Sequence, residues 1–138
     1  MLPIPTRGLR HLALRVRDLQ RAKAFYIDVF GMTPVWEPDP RNSYLSSGCD
    51  NLALHQADVA DVQPSSLATA EPLDHLGFIV PTPGAVWVAA AALRQHGVRI
   101  VKEPRQHRDD SCSLYCEDPD GNVIQILFEP TISPQTIR

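Results

Sequence analysis

The amino-acid sequence predicts an α+β fold in which a β-strand, an α-helix and three further strands occur twice. At 138 residues, the chain has the length of one domain. Residues 9–16 and 73–80 both alternate apolar and polar or small side chains, as strands with one buried face do. The two segments match at an offset of 64 residues, which aligns His11 with His75. A helical pattern ending in glycine follows each, so the unit is repeated.

The first unit begins with the strand at 9–16. Asp18 is a good N-cap, and apolar residues then recur at helical spacing until Gly31, the residue type that commonly ends a helix. Three further strands are predicted, around 33–37, 42–47 and 51–56.

The second unit repeats this order after the strand at 73–80. Thr82 and Pro83 supply an N-cap followed by proline at the first helical position, and the helix runs to about His96 before Gly97. Strands are predicted around 98–102, 111–117 and 122–129, with a turn at Asp118-Pro119-Asp120-Gly121 before the last.

Neither unit is large enough to bury its sheet alone, so we expect the two to pack together in a single domain covering 1–138. The predicted parts are module one at about 8–57, a linker at 58–72, module two at about 73–130 and a C-terminal tail at 131–138.

Charge and cysteine content exclude several classes of protein. Thirteen Lys and Arg against sixteen Asp and Glu give a net charge of −3, which argues against a nucleic-acid or membrane partner. Three cysteines without a spacing pattern do not indicate a secreted disulfide framework. No signal peptide is visible, and the longest apolar run, 85–93, is too short to span a bilayer. We expect a cytoplasmic protein.

Strand alternation also predicts which polar side chains share a face. Leu12, Leu14 and Val16 belong under a helix, so His11 points to the opposite face. The same argument places three further polar residues opposite the apolar face of their strands: His55, His75 and Gln125. Taken singly, each of these histidines is more often a hydrogen-bonded structural or surface residue.

These features together are similar to the vicinal oxygen chelate superfamily: two βαβββ halves, a histidine in the first strand of each, and D-P-D-G-N before the last strand. That group includes glyoxalase I, the bleomycin- and fosfomycin-resistance proteins and the extradiol dioxygenases. The resemblance covers about 8–130. It implies one eight-stranded cupped mixed sheet with both helices on the convex face and metal ligands on the concave face.

The resemblance implies His11 and His75 as metal ligands. The superfamily's usual third ligand is a glutamate, and Gln125 stands at that position. An amide oxygen is neutral and a weaker ligand than a carboxylate. Ala53 stands where glyoxalase I has a further ligand, so the sequence argues against glyoxalase I; the missing glutamate argues against the fosfomycin-modifying enzymes as well.

Other positions resemble the extradiol dioxygenases, which hold ferrous iron with two histidines and a carboxylate. His55, His107 and Tyr115 match their additional histidines and tyrosine in order and rough spacing. Histidine there can transfer protons, and tyrosine can orient a catecholate. The implied cofactor is a divalent metal ion, with Fe²⁺ favoured and Mn²⁺, Ni²⁺, Co²⁺ or Zn²⁺ as alternatives, or none.

Three hypotheses remain open at the level of sequence. The first is a metal-dependent enzyme, a dioxygenase or a lyase, acting on a small substrate with vicinal oxygens and most like an extradiol dioxygenase. The second is a non-catalytic small-molecule-binding protein of the bleomycin-resistance type. The third is a metal-free structural or regulatory domain. Fold alone does not choose among them. The resemblance also implies a homodimer, and the linker is long enough for halves to be exchanged.

Overall fold

A computed structural model describes residues 5, 9–58 and 73–135. Most of the predicted linker and the ends of the chain lie outside these residues. Two modules form separate compact units, and each is a βαβββ unit as predicted. Module one comprises β1 (His11–Val16), α1 (Leu19–Phe30), β2 (Thr33–Asp39), β3 (Asn42–Ser46) and β4 (Asn51–Gln56). Module two comprises β5 (Leu76–Ile79), α2 (Pro83–Gln95), β6 (Ile100–Gln106), β7 (Cys112–Glu117) and β8 (Val123–Phe128).

The strands form two four-stranded sheets, in the orders β1-β4-β3-β2 and β5-β8-β7-β6. The predicted α+β class and the repeated module are confirmed, while the single eight-stranded sheet is corrected to two sheets. Side-chain alternation predicts which residues share a face. It does not encode whether the backbone groups of two edge strands meet in register, and continuity of a sheet depends on that.

In module one, β1 runs parallel to β4, and the other pairs are antiparallel. Helix α1 packs against β3 and β4. The core between them is mainly apolar at its centre, where Val16, Tyr26, Leu45 and Leu54 are completely buried. Burial of this face leaves the opposite face of the sheet to polar side chains.

Module two repeats the arrangement. Strand β5 runs parallel to β8, and α2 packs against β6, β7 and β8. The buried core side chains include Val86 and Leu93 from α2, Leu114 from β7 and Ile124 from β8. Neither helix in the described part of the chain is long and apolar enough to cross a membrane.

The predicted helix caps are confirmed. The Asp18 carboxylate accepts a hydrogen bond from the Arg21 N–H at 3.1 Å, and the Thr82 hydroxyl accepts one from the Ala85 N–H at 3.2 Å. Gly31 and Gly97 have φ of 67° and 69°, a left-handed conformation that favours glycine over residues with a Cβ.

Several strand boundaries differ from the prediction. The Val98 N–H donates to the Leu93 carbonyl as part of the helix end, so β6 begins at Ile100 instead of 98. Strands β2 and β6 continue past Pro38 and Pro104, each of which lies at a register shift where a missing N–H is tolerated. Strand β5 begins at Leu76, so His75 immediately precedes it.

Candidate functional site

On the polar face of module one, the register of β1, β4 and β3 places five polar residues next to one another across the strands. His11 lies opposite Asn51, and His55 lies between Arg15 on one neighbouring strand and Asn42 on the other. Residues directly opposite in adjacent strands share a face of the sheet. These five residues therefore lie on the side of the sheet that α1 does not cover.

His11 is held by Asn51. Its Nδ1 lies 2.8 Å from the Asn51 Oδ1, which is an acceptor, so Nδ1 carries the hydrogen and donates it. The lone pair of the neutral imidazole then lies on Nε2. The His11 side chain is exposed, which leaves Nε2 accessible to a ligand.

His55 is held in the same way by Asn42, with 2.6 Å between its Nδ1 and the Asn42 Oδ1. Asn42 in turn donates from Nδ2 to both carboxylate oxygens of Asp39, each at 2.9 Å. The hydrogen bonds from Asn42 and from the Arg41 backbone N–H hold the pKa of Asp39 below its usual value, and Asp39 is therefore ionised at neutral pH. The edge of the Tyr44 ring contacts the His55 ring at a centroid distance of 5.8 Å.

The polar face of module two contains a contact cluster of His75, Tyr115 and Gln125. Tyr115 and Gln125 lie opposite each other on β7 and β8, and the Gln125 Nε2 donates to the Tyr115 hydroxyl at 3.0 Å. The His75 ring stands perpendicular to the Tyr115 ring, with 5.4 Å between centroids. The Lys102 ammonium lies 5.2 Å from the centre of the same ring, at a distance typical of a cation–π contact.

His75 is oriented by its neighbour in sequence. The His75 Nδ1 lies 2.5 Å from the Asp74 carboxylate, which can only accept when ionised. Nδ1 therefore carries the hydrogen and Nε2 the lone pair, as for His11. Metal-binding histidines usually donate their second ring N–H to a carboxylate or carbonyl oxygen in this way.

His107 is joined to the same face through Ser113, whose Oγ lies 2.8 Å from the His107 Nε2. Ser113 is two residues before Tyr115 on β7, and residues two apart on a strand share a face. The structure thus places His75, Tyr115, Gln125 and His107 on one face of module two. The predicted convergence of His11 with His75 and Gln125 on one cation stays a prediction.

The donor atoms available in these residues suit a transition metal. On module two, the His75 Nε2 and the Gln125 Oε1 are neutral nitrogen and oxygen donors, which bind a cation less tightly than a pair that includes a carboxylate. Among the described residues, no three or more His, Cys, Asp or Glu side chains cluster closely enough to hold a metal ion. A metal site built only from the described residues would therefore need an amide oxygen or water as its third ligand.

Two of the three cysteines lie away from the polar face of module two, because they alternate with Ser113 and Tyr115 along β7. Cys112 and Cys116 are buried free thiols on β7, and Cys49 is a half-buried free thiol. Burial raises the pKa of Cys116 to about 12, and the negative charges of Asp118 and Glu117 add to this effect. Cys116 is therefore protonated at neutral pH and is a poor nucleophile.

Sequence analysis did not identify the partners that orient these side chains. Three of these partners are Asn42, Asn51 and Ser113. Each lies on a neighbouring strand or across a turn from the histidine that it bonds, so its position depends on the register of the strands. Asp74 adjoins His75, so its pairing was visible in the sequence as an acidic neighbour. Lys102 reaches Tyr115 because β6 and β7 pair at these two residues.

Comparison with known proteins identifies related chains. A family model described as the Glyoxalase/Bleomycin resistance protein/Dioxygenase superfamily matches residues 8–126. The chain is 32% identical over 119 residues to the virulence protein STM3117 of Salmonella typhimurium, covering 84% of this chain and 80% of that protein. It is 30% identical over 132 residues to biphenyl-2,3-diol 1,2-dioxygenase 3 of Rhodococcus globerulus, covering 94% and 67%. The crystal structure of a lactoylglutathione lyase from Agrobacterium tumefaciens shares the fold, with a TM-score of 0.72 at 22% identity over 94% of this chain and 98% of that one.

Proposed function

Because this chain belongs to the glyoxalase/bleomycin resistance protein/dioxygenase superfamily, we propose that it is a metal-dependent enzyme acting on a small substrate with vicinal oxygens, most like an extradiol dioxygenase. The observation that carries this proposal is the hydrogen bonding of His11 and His75. Each uses Nδ1 on an oxygen acceptor and leaves Nε2 as a ligand atom. The likeness to a biphenyl-diol dioxygenase supports the choice of substrate class.

The proposed ligands are His11, His75 and the Gln125 Oε1, with Fe²⁺ as the favoured ion and Mn²⁺, Ni²⁺, Co²⁺ or Zn²⁺ as alternatives. A divalent ion held there would supply Lewis acidity towards two adjacent substrate oxygens. Gln125 can serve because its hydrogen bond to Tyr115 uses only the amide nitrogen and leaves the oxygen available.

The proposed catalytic residues are His55, Tyr115 and His107. The His55 Nε2 accepts a proton from a substrate hydroxyl and returns it to the product. The Tyr115 oxygen accepts the bond from Gln125, so its own hydrogen can be donated to a substrate oxygen. His107 lies beside Ser113 on the same face as Tyr115 and orients the substrate through hydrogen bonds.

One observation favours a second function. Gln125 replaces the carboxylate that a tight metal site would use, and its amide nitrogen donates to Tyr115. A polar face of this kind would suit a non-catalytic small-molecule-binding protein of the bleomycin-resistance type. In that case the histidines would contact the ligand directly, and no metal would be required.

We also propose that the protein forms a homodimer and is located in the cytoplasm. The three free thiols support a reducing compartment. Light scattering coupled to size exclusion measures the dimer directly, and a monomeric mass at micromolar concentration would contradict it.

Metal analysis of protein purified without added metal or chelator tests the proposed function. We expect about one equivalent of a divalent transition metal per chain, as a single two-histidine site would hold. His75→Ala should lose the metal, whereas His96→Ala, which removes a histidine at the end of α2, should retain it. Absence of metal after attempted reconstitution would favour the binding protein.

A further inference from the structure

Three residues on the polar face of module one form a chain of hydrogen bonds. Asn42 and His55 lie opposite each other on β3 and β4, and Asp39 ends β2. The His55 Nδ1 bonds the Asn42 Oδ1 at 2.6 Å, and the Asn42 Nδ2 bonds the two Asp39 oxygens at 2.9 Å each. We name this set the Asp39–Asn42–His55 relay.

The Asp39 carboxylate fixes which way the Asn42 amide faces. An ionised carboxylate has only acceptors, so the Asn42 NH₂ group must point towards it. Asp39 is itself held by the Arg41 backbone N–H at 2.8 Å. The Asn42 oxygen is then directed at His55, and an amide flip would place its NH₂ group against the imidazole and its oxygen against the carboxylate.

The orientation of Asn42 in turn fixes the tautomer of His55. An acceptor at Nδ1 requires the hydrogen on Nδ1, which leaves the lone pair on Nε2. Within the described residues, Nε2 of His55 makes no hydrogen bond. The perpendicular Tyr44 ring contacts the imidazole, and Arg15 on β1 is the charged residue directly opposite.

We propose that Asp39 and Asn42 are positioning residues that hold His55 in its Nδ1–H tautomer, so that Nε2 is the proton-accepting atom. This inference rests on the proposed function for the use of that atom. On accepting a proton from a substrate hydroxyl, His55 becomes an imidazolium with both ring nitrogens protonated. Nδ1 keeps its bond to Asn42 throughout, and the proton on Nε2 is later returned to product.

The tautomer can be measured without substrate or metal. Long-range ¹H–¹⁵N NMR spectra of the labelled, full-length protein, recorded at a pH where the histidines are neutral, distinguish the two ring nitrogens. His55→Gln assigns the His55 signals by their loss. We expect wild-type His55 in the Nδ1–H form. A predominant Nε2–H form would overturn the proposal without any further variant.

Two substitutions separate the relay from a general structural effect. Asp39→Ala touches no histidine atom, yet it should shift His55 towards the Nε2–H tautomer because Asn42 becomes free to flip. Adding Asn42→Asp to that variant should restore the Nδ1–H form, since a carboxylate at 42 can only accept. His11, bonded to Asn51, is the internal control and should keep its tautomer in every variant.

An unchanged tautomer in Asp39→Ala, or no restoration by Asn42→Asp, would contradict the relay. These outcomes are independent of catalysis. If no substrate is consumed by any preparation while the tautomer responds as expected, the proposed function fails and the relay stands. If a substrate is consumed but the His55 tautomer does not change in these variants, the relay is wrong and the proposed function stands.

Discussion

Gln125 bonds Tyr115 in a way that a carboxylate at this position could not. Its nitrogen donates to the Tyr115 hydroxyl, which leaves the tyrosine hydrogen for another acceptor. A glutamate at 125 would instead accept from that hydroxyl and hold its hydrogen. The amide therefore keeps the Tyr115 hydroxyl available as a donor, and as the proposed ligand it would hold a cation less tightly than a carboxylate would.

Substitution of Gln125 by glutamate tests this residue. Gln125→Glu should tighten binding of Fe²⁺ or Zn²⁺ by more than about tenfold, because an anionic oxygen attracts a dication far more strongly than an amide does. Isothermal titration calorimetry of metal-free protein measures the change. Gln20→Glu adds the same charge on the exposed surface of α1 and should leave affinity unaltered. Equal affinity in a folded Gln125→Glu variant would show that residue 125 does not face the cation.

Among the helices and strands, the boundaries and contacts that depend on neighbouring residues in the sequence were predicted, and those that depend on contacts between distant segments were not. Asp18 and Thr82 cap their helices through bonds to residues three positions ahead, so the starts were predictable. The start of β6 was not predicted correctly. The Val98 N–H donates to the Leu93 carbonyl, so Val98 belongs to the end of α2 and not to the strand. The pairing of His55 with Asn42 depends on register between strands, which hydrophobic alternation alone leaves open.

The cap of α1 gives a stability prediction. Asp18→Ala removes the acceptor for the Arg21 N–H and should lower the free energy of unfolding by about 0.5–2 kcal/mol. Asp28→Ala makes the same chemical change near the other end of α1. There it removes a negative charge from the negative end of the helix dipole, so no loss is expected. Urea denaturation compares the two, and equal destabilisation would contradict the capping role.

At the scale of the molecule, the repeat predicted most of the architecture. The offset of 64 residues between His11 and His75 correctly indicated two modules of the same topology. It could not indicate that the strands form two sheets, because sheet continuity depends on pairing between edge strands. Alternation predicted that His75 and Gln125 lie opposite the apolar faces of their strands, whereas the contacts of Tyr115 with Gln125 and with Lys102 depend on the pairing of β7 with β8 and with β6.

Three surface carboxylates make the free energy of unfolding depend on pH in the acidic range. Hydrogen bonds from Lys23, Asn42 and Ser111 lower the pKa values of Glu37, Asp39 and Asp109, respectively. The folded state therefore binds fewer protons than the unfolded state near these values. Their contribution to stability is complete above the unfolded pKa and is lost as pH falls through the lower folded pKa.

We therefore expect the free energy of unfolding to decrease as pH falls from about 5 to about 3, in the range where these carboxyl groups titrate. Denaturant titrations at a series of pH values measure the slope. Glu37→Gln and Asp39→Asn together should flatten it, because the amides do not titrate. A slope as steep in this double variant as in wild type would show that these two hydrogen-bonded carboxylates are not responsible.

The proposed function is that of a metal-dependent enzyme for a substrate with vicinal oxygens, most like an extradiol dioxygenase. Its most direct test is oxygen uptake by protein loaded anaerobically with Fe²⁺, measured across a small panel of catechols. We predict uptake with at least one catechol, and a loss of about 10²–10⁴-fold in His55→Ala, the contribution typical of a general acid–base residue, with iron content unchanged. His96→Ala, at the end of α2, is the matched control and should retain full uptake. Bound iron without any oxygen uptake would contradict the dioxygenase assignment.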